Sequence, residues 1–259
     1  MVNQSIHAEP PTVDEWKPCI VIPVYNHEQA IGGFARQILS SGLPVFLIND
    51  GSSAECCAVL QALAGQHSAI SLINLPKNIG KGGAVKQGLL AALEQGFSHA
   101  LQVDADGQHS AEDIERFLIE CRNQPEAIVA GYPVYDQSVP AYRFYARYLT
   151  HVWICINTLS FKIKDSMCGF RLYPLKQACE LIAREKIGNR MDFDSEILVR
   201  WVWRDGKVVN IPTKVSYPLD GVSHFELWRD NVLISRMHAR LFAGMLLRLP
   251  RLLYKRLLP

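Results

Sequence analysis

The chain has 259 residues, of which 49% are hydrophobic and 20% are charged, and its formal net charge is +2. The apolar content is too high and the net charge too small for general disorder, and the length suffices for one large domain or two small ones. No stretch reaches the roughly 18 uncharged apolar residues of a membrane-spanning helix, which predicts a protein that is soluble or lies on a surface.

The first 106 residues alternate between short apolar runs and helical patterns. β-Branched and apolar runs predict four strands, at Cys19–Tyr25, Pro44–Asp50, Ile70–Leu75 and His99–Asp106. Helical spacing predicts helices over 27–41, over 54–66 and from a glycine-rich turn to about residue 95. Such alternation predicts a parallel sheet with helices on both faces.

Beyond residue 106 the pattern is less regular. Helices are predicted over 111–122, 141–161, 174–186 and 192–206, strands over 127–134 and 208–217, and a turn followed by a strand over 165–173. The last part of the chain has a helical pattern with an expected break before Pro250. The predicted organisation is a loose polar leader (1–16), one α/β domain (17–222) and a basic, amphipathic helical tail (223–259).

Polar side chains stand where the predicted strands end. They are Asn26, Asp50, Asn78, Asp104 and Asp106. Because ligands of open α/β sheets bind beyond the carboxyl ends of the strands, this convergence predicts a ligand site at that edge.

Asp104 and Asp106 form an Asp-x-Asp pair at the end of the fourth predicted strand. Two carboxylates this close repel each other unless a cation lies between them. A hard divalent ion prefers oxygen ligands and commonly keeps ligands from a substrate phosphate. The pair therefore predicts a Mg²⁺ or Mn²⁺ site that a nucleoside diphosphate completes.

The segment Gly80-Lys81-Gly82-Gly83 opens a predicted helix. Glycine lets the backbone approach a phosphate, and a helix N-terminus favours anions. The pattern GxxxxGK[ST] is absent, and no GxGxxG follows the first strand, which argues against kinases, ATPases and Rossmann dehydrogenases. A plain glycine-rich turn is the alternative interpretation.

Four segments together resemble the family 2 glycosyltransferases with a GT-A fold. They are IPVYNHEQAI (Ile22–Ile31), INDGSS (Ile48–Ser53), NIGKGGAVKQGL (Asn78–Leu89) and DADGQH (Asp104–His109). A fifth segment, DSMCGFRLY (Asp165–Tyr173), resembles the Gly-Phe-Arg segment of one branch of this family. The sequence is similar to the branch that makes polyprenyl-phosphate sugars, such as dolichyl-phosphate mannose, whose members also carry Gln and His just after Asp-x-Asp. The resemblance covers roughly residues 18 to 200. It implies a Rossmann-like, mostly parallel central sheet flanked by helices.

The resemblance also implies roles for individual residues. The implied nucleotide-binding residues are Pro23, Tyr25, Asn26, Glu28, Asp50, Lys81 and Asp104. Asp50 would hydrogen-bond the base, and Lys81 would lie near the base or the phosphates. Asp104 and Asp106 would hold the metal and the diphosphate, with Gln108 nearby. Asn49 stands where the family often has an aspartate, which leaves uridine, guanosine and other nucleotides open.

Family members of this type invert the anomeric centre, and metal and positive groups stabilise the leaving diphosphate. A hydroxyl acceptor would need a general base, for which Asp194 is the first candidate; the competitors are Asp192, Glu196 and Asp165. A phosphate acceptor is already ionised and needs no base. Arg171 would then be a candidate for binding it, because a guanidinium suits phosphate geometry. Pairing of these carboxylates with nearby arginines is the structural alternative.

The predicted tail helix is basic and amphipathic, with six Lys/Arg and no Asp or Glu between Asn231 and Pro259. This pattern predicts binding to an anionic membrane surface, with a solvated face or packing on the domain as alternatives. His224 precedes the helix and could complete the metal sphere, as a C-terminal histidine does in some GT-A enzymes. A structural loop histidine is the alternative.

Together these features predict a metal-dependent, inverting glycosyltransferase, peripheral on the cytoplasmic face of the membrane. It would move a hexose from a UDP- or GDP-linked sugar to a lipid-linked acceptor such as a polyprenyl phosphate. Nucleic acid is not an expected partner, since the basic residues do not extend over the body. The alternatives are a nucleotidyltransferase, which the lack of Lys and Arg in residues 26–33 disfavours, and a non-catalytic nucleotide-sugar-binding scaffold at the membrane.

Overall fold

A computed structural model describes residues 16–107, 112–134, 141–214 and 226–257. Its first half alternates strand and helix, as predicted. The elements are β1 (Pro18–Val24), α1 (Glu28–Leu39), β2 (Val45–Asn49), α2 (Ala54–Gln66), β3 (Ile70–Asn74), α3 (Lys81–Glu94) and β4 (His99–Gln102).

The second half contributes three further strands and five helices among the described residues. They are α4 (Asp113–Asn123), β5 (Ile128–Val134), α5 (Ala141–Thr158), β6 (Arg171–Pro174), α6 (Leu175–Arg184), α7 (Phe193–Trp203), β7 (Val208–Lys214) and α8 (Leu227–Leu257). Each corresponds to a predicted element, with ends that differ by a few residues.

The strands form one seven-stranded sheet in the order β3-β2-β1-β4-β6-β5-β7. Neighbouring strands are parallel except at β6, which runs antiparallel to both β4 and β5. The predicted mostly parallel sheet is therefore confirmed. Because β6 is reversed, Arg171 at its start pairs with Gln102 at the end of β4. The loop before β6 is thus brought to the carboxyl end of β4, where Asp104 lies.

Helices cover both faces of the sheet. On one face α1, α2 and α4 bury apolar side chains such as Phe34, Leu60 and Phe117. On the other face α3, α5, α6, α7 and α8 form a second apolar cluster. Covering both faces removes the strands from water, which is why they read as continuous apolar runs in the sequence.

Helix α8 contributes to this second cluster. Met237, Leu241 and Met245, spaced four residues apart, are buried together with Trp203 of α7. Burying each such side chain contributes about 1.5–3 kcal/mol. Part of the apolar face of the predicted tail helix therefore packs on the domain. Within the residues that the structure describes, no helix is both long enough and apolar enough to cross a membrane.

The expected helix break before Pro250 is wrong, since α8 continues through this residue. Proline removes one backbone hydrogen bond and usually kinks a helix. Here Pro250 is exposed, so water can reach the carbonyl group that loses its partner. Leu249 and Leu252, on either side of Pro250, both pack against the second cluster, and these contacts stabilise the helix across the proline.

Candidate functional site

The candidate site lies at the carboxyl ends of β1, β2 and β4. Asp50 directly follows β2, and it is buried. Its two carboxylate oxygens accept hydrogen bonds from the backbone N–H groups of Ile79 (2.7 Å) and Gly80 (2.9 Å). Burial raises the pKa of Asp50 above its ordinary value, although these hydrogen bonds and the charge of Arg190 oppose the rise. Asp50 therefore holds the turn that opens α3, whereas the resemblance gave it a contact with the nucleotide base.

Glycines let the start of α3 approach the segment before α7. Gly80 has a φ of +93°, and a Cβ there would lie 2.5 Å from the carbonyl oxygen of Asn189. A Cβ on Gly82 would lie 2.2 Å from Cβ of Phe193, the first residue of α7. Side chains at these positions would push the two helix N-termini apart. The glycines are thus required for Lys81 to reach α7.

Lys81 joins two carboxylates from different parts of the chain. Its Nζ lies 2.8 Å from Oδ2 of Asp104 and 2.9 Å from Oδ2 of Asp194. The side chain of Lys81 is only 17% exposed. Burial disfavours the charged ammonium, but the two carboxylates outweigh this effect and hold the pKa of Lys81 above its ordinary value. The lysine is therefore a fixed positive charge at this edge of the sheet.

Asp194 lies in the first turn of α7 and is nearly buried. Its Oδ1 accepts a hydrogen bond from Nε2 of Gln102 (3.1 Å), and its backbone carbonyl accepts one from Arg171 (2.8 Å). The N-terminal end of a helix also stabilises a carboxylate. Asp194 is the one candidate base that the structure brings together with Lys81 and Asp104.

A buried hydrogen-bond network lies behind Asp194. The hydroxyl of Tyr173 donates to Oε1 of Gln102 (3.0 Å), and Nη1 of Arg171 donates to the hydroxyl of Tyr173 (3.2 Å). Gln102 and Tyr173 are not among the site residues predicted from the sequence. A signal was present for Gln102, which is a polar residue at the end of an otherwise apolar strand.

Arg171 is not placed to receive an acceptor phosphate. Its side chain is 0% exposed, and its guanidinium also donates to the carbonyl oxygens of Ser166 (3.3 Å) and Cys168 (3.1 Å). These hydrogen bonds fix the loop before β6. A Cβ on Gly169 in that loop would lie 2.1 Å from Oδ2 of Asp104, so the loop packs directly on this carboxylate. In this structure Arg171 shapes the site and does not line it.

The other candidate bases form structural contacts. Asp165 pairs with Arg147 (2.7 Å to Nη2) and accepts hydrogen bonds from the N–H groups of Met167 and Cys168. Burial opposes ionisation of Asp165, but Arg147 and these N–H groups hold its pKa below the ordinary value. Asp192 accepts from the N–H of Arg190, and Glu196 pairs with arginines of α7 and α8.

The loop after β1 is tied to the loop after β2. The side chain of Asn26, which has a φ of +51°, accepts a hydrogen bond from the N–H of Ser53 (2.8 Å), and its own N–H donates to Oγ of Ser52 (3.2 Å). Tyr25 and Glu28 are half-buried nearby, whereas Pro23 is buried within β1. Oε2 of Glu28 is buried and has no hydrogen-bond partner among the described residues. A buried acceptor of this kind is costly unless a ligand satisfies it.

Two of the three predicted metal ligands are described. Asp104 and Asp106 both follow β4, and Oδ2 of Asp104 already pairs with the Lys81 ammonium. Carboxylate oxygens are the ligands that Mg²⁺ and Mn²⁺ prefer, and two of them leave room for oxygens of a diphosphate. In the described part of the chain, no group of three or more His, Cys, Asp or Glu could hold a metal ion. His224 and Gln108 lie outside the described residues.

Comparison with known proteins supports an assignment to one family. The model of the family described as glycosyl transferase family 2 matches residues 19–184. A dolichyl-phosphate beta-glucosyltransferase of Trichomonas vaginalis is 29% identical over 199 residues, which cover 69% of this chain and 59% of that protein. A UDP-N-acetylglucosamine–dolichyl-phosphate N-acetylglucosaminyltransferase of Methanococcus voltae is 22% identical over 76% of this chain and 85% of that protein. The chain thus spans about three fifths of the length of the Trichomonas relative.

Solved structures share the fold. A glucosyl-3-phosphoglycerate synthase from Mycobacterium tuberculosis, crystallised with phosphoglyceric acid, matches with a TM-score of 0.61 at 14% identity, over 90% of this chain and 79% of that chain. A mannosyltransferase from Pyrobaculum calidifontis in complex with GDP-Man and Mn²⁺ matches with a TM-score of 0.53 at 14% identity, over 79% and 58%. At this identity the structures show the fold alone, and they confirm the predicted GT-A architecture.

Proposed function

Because the chain belongs to the family 2 glycosyltransferases, we propose that it transfers a hexose from a nucleoside diphosphate sugar to a polyprenyl phosphate. The observation that carries this proposal is the contact of Lys81 with both Asp104 and Asp194, at the sheet edge where α/β folds bind ligands. The names of the relatives, which include dolichyl-phosphate glycosyltransferases, support the acceptor class.

Asp104 and Asp106 are the residues that would hold a divalent metal ion. When bound, Mg²⁺ or Mn²⁺ supplies positive charge that neutralises the donor diphosphate. The ammonium of Lys81, 2.8 Å from Asp104, adds a second positive charge on the protein side. Together these two charges would stabilise the negative charge of the diphosphate as it leaves.

The acceptor phosphate is the nucleophile in this mechanism. One of its oxygens forms a bond to C1 of the hexose on the side opposite the diphosphate. The bond between C1 and the diphosphate oxygen breaks, and its electron pair leaves with the nucleoside diphosphate, so the configuration at C1 is inverted. A phosphate acceptor is already ionised and needs no general base. Asp194 then holds the ammonium of Lys81 in position, and Gln102 fixes Asp194 from behind.

Attachment to an anionic membrane surface would bring the acceptor to the protein. On α8 the side chains of Phe242, Leu246 and Leu247 are exposed, and Leu247 is 84% exposed. The exposed Arg236 and Arg251 on the same helix suit an anionic surface. Truncation of α8 would remove buried core residues, so the sharper test is L246Q/L247Q, with I119Q on α4 as control. Only the α8 variant should lose sedimentation with anionic vesicles; equal loss in both would contradict this attachment.

Nucleotide binding tests the donor site. UDP and GDP, each with and without Mn²⁺, are compared by thermal shift on the wild type, on D106N and on E115Q, which removes an exposed carboxylate of α4. A ligand at 100 times its Kd stabilises the folded protein by about 2.7 kcal/mol. We expect one nucleotide to stabilise the wild type and E115Q only when the metal is present, and D106N to lose this effect. Metal-independent stabilisation, or the same shift in D106N, would contradict the metal site.

A further inference from the structure

A cavity of about 390 Å³ lies between α7 and α8, away from the candidate donor site. It is lined by Glu185, Arg200, Trp203, Arg204, Arg248 and Arg251, which we call the arginine cavity. Asp194 is at the start of α7 and Trp203 is at its end, so the two are separated by about 14 Å along the helix. The contacts of Lys81, Asp104 and Asp194 make no use of this cavity.

The arginine cavity and its ion pairs carry an excess of positive charge. Glu185 contacts Arg200 (2.5 Å) and Arg204 (2.8 Å). Glu196 contacts Arg200 and Arg240, and Asp205 contacts Arg251. Five guanidinium groups, with Arg248 as the fifth, thus face three carboxylates. The cluster retains two positive charges that these carboxylates do not neutralise.

Arg248 supplies part of this excess. Its guanidinium lies over the ring of Trp203, 4.5 Å from the ring centre, and Nη1 donates to the carbonyl oxygen of Gly244 (3.0 Å). No carboxylate among the described residues lies within ion-pair distance of it. Stacking and the hydrogen bond hold the guanidinium in place before any ligand arrives. A guanidinium held in this way is suited to bind a phosphate through two hydrogen bonds.

The electrostatic potential in the cavity is positive at Glu185. Burial opposes ionisation of this carboxyl group, but the hydrogen bond from Arg204 and the charges of Arg200, Arg204 and Arg248 hold its pKa below the ordinary value. The same positive potential would stabilise an anion that enters the cavity. Two surplus positive charges match the charge of a phosphomonoester, which is close to −2 at neutral pH.

Exposed apolar side chains on α8 flank the arginines. Leu247 precedes Arg248 and Tyr254 follows Arg251; both are exposed, and helical spacing places them on the same side of α8 as Arg251. A basic cavity with apolar neighbours on one helix is suited to a lipid, whose headgroup would enter the cavity while the apolar side chains contact the acyl region. We propose that the arginine cavity binds the phosphomonoester headgroup of an anionic membrane lipid.

The test compares vesicles that differ in headgroup. Phosphatidylcholine vesicles containing phosphatidic acid, which has a phosphomonoester, are matched in zeta potential to vesicles containing phosphatidylglycerol, which has a phosphodiester. The full chain is compared with R248Q/R251Q and with R229Q/R236Q, which removes two exposed arginines of the same helix outside the cavity. Circular dichroism checks that each variant folds. E185Q is a second variant, which removes the negative charge from the cavity. It is expected to change the preference for phosphatidic acid in the direction opposite to R248Q/R251Q.

The wild type should bind phosphatidic acid vesicles roughly tenfold more tightly than the matched vesicles, since a hydrogen bond to a charged group contributes about that much. R248Q/R251Q should lose this preference, R229Q/R236Q should weaken binding to both vesicles equally, and E185Q should increase the preference. No preference in the wild type, or the same preference in all variants, would overturn the proposal and leave an ion-pair network that only joins α7 to α8.

Soluble glycerol 3-phosphate distinguishes a lipid headgroup from a free phosphate ester. If it raises the melting temperature of the wild type but not of R248Q/R251Q, the phosphate group alone is recognised, which supports the site. If the wild type prefers phosphatidic acid vesicles and glycerol 3-phosphate has no effect, the lipid is required, which supports the lipid source. Stabilisation by glycerol 3-phosphate without any vesicle preference overturns the lipid source. Hexose transfer is not a readout here, so failure of this proposal leaves the proposed transferase activity standing.

Discussion

The ammonium of Lys81 lies 2.9 Å from the carboxylate of Asp194, although the two residues are 113 positions apart in the chain. The contact forms because Gly80 and Gly82 let the start of α3 meet the start of α7. The same ammonium lies 2.8 Å from Asp104, so one lysine links the predicted metal ligand with the residue predicted as a base. The proposed mechanism depends on this arrangement.

Replacing Lys81 by methionine tests the link between the two carboxylates. K81M leaves Asp104 and Asp194 close together without their shared cation, so the free energy of unfolding should fall by about 1–3 kcal/mol. D194N removes one of the two carboxylate charges. The double variant K81M/D194N should therefore recover part of the unfolding free energy that K81M loses. K176M, at an exposed position of α6, is the control and should change stability by less than about 0.5 kcal/mol.

Urea unfolding of the two single variants and of K81M/D194N gives the coupling energy between residues 81 and 194. For residues in direct contact we expect about 0.5–3 kcal/mol. Losses that simply add in the double variant would contradict the ion pair.

Gln102 is predicted to position Asp194. Q102L removes the donor to Asp194 and the acceptor of the Tyr173 hydroxyl, so the free energy of unfolding should fall by about 1–3 kcal/mol. If Gln102 also orients Asp194 for catalysis, kcat for hexose transfer should fall by about tenfold or more, with the Kd of the donor nucleotide unchanged. Y173F, which leaves the bond between Gln102 and Asp194 intact, is the matched control. An unchanged kcat in Q102L would limit Gln102 to a structural role.

Two helical glycines should respond in opposite ways to alanine. In G82A the new methyl group would lie 2.2 Å from Cβ of Phe193, and overpacking of this kind costs about 1–3 kcal/mol. In G32A, within α1, the methyl group meets no atom within 4 Å, so the higher helix propensity of alanine should add about 0.5–1 kcal/mol. Melting temperatures should therefore fall for G82A and rise for G32A. A rise for G82A would show that α3 and α7 do not approach as closely as described.

The stability of the fold should decrease in mild acid through His238. This histidine of α8 is buried, and burial lowers its pKa to about 4. The unfolded chain binds a proton at His238 near its ordinary pKa of about 6.5, while the folded chain does so only near 4. The contribution of unprotonated His238 to stability is therefore fully present above pH 6.5. As the pH falls from 6.5 towards 4 this contribution is lost, and the free energy of unfolding falls by roughly 1–3 kcal/mol. Chemical unfolding across this range should show a smaller loss of unfolding free energy for H238Q than for the wild type. Equal losses would show that His238 is protonated as readily in the folded state as in the unfolded state.

Local sequence patterns predicted the alternation of β1 to β4 with α1 to α3, because each element there is specified by its own periodicity. They also predicted that Asp50 and Asp104 follow strands at one edge of the sheet. The reversal of β6 was not predictable, since strand direction depends on which strands pair, and short runs of residues do not determine that. The adjacency of Gln102 and Arg171, and the network behind Asp194, follow from this reversal.

Burial was the second feature that the sequence did not reveal. Arg171 was predicted to bind an acceptor because arginine suits phosphate, yet carbonyl groups of the loop before β6 satisfy its guanidinium inside the protein. Pro250 was predicted to break α8, yet packing of Leu249 and Leu252 on the core maintains the helix. In both cases tertiary contacts outweigh the preference of the residue considered alone.

Hexose transfer to a polyprenyl phosphate is the most direct test of the proposed function. The full chain is incubated with Mg²⁺, a short-chain polyprenyl phosphate and radiolabelled UDP-glucose or GDP-mannose, and the lipid phase is counted. We expect the wild type to form a labelled lipid with one of the two donors, and D104N to form at least about a hundredfold less. If the wild type binds a nucleotide in the thermal-shift experiment and labels no lipid with either donor, the polyprenyl-phosphate transferase activity is contradicted.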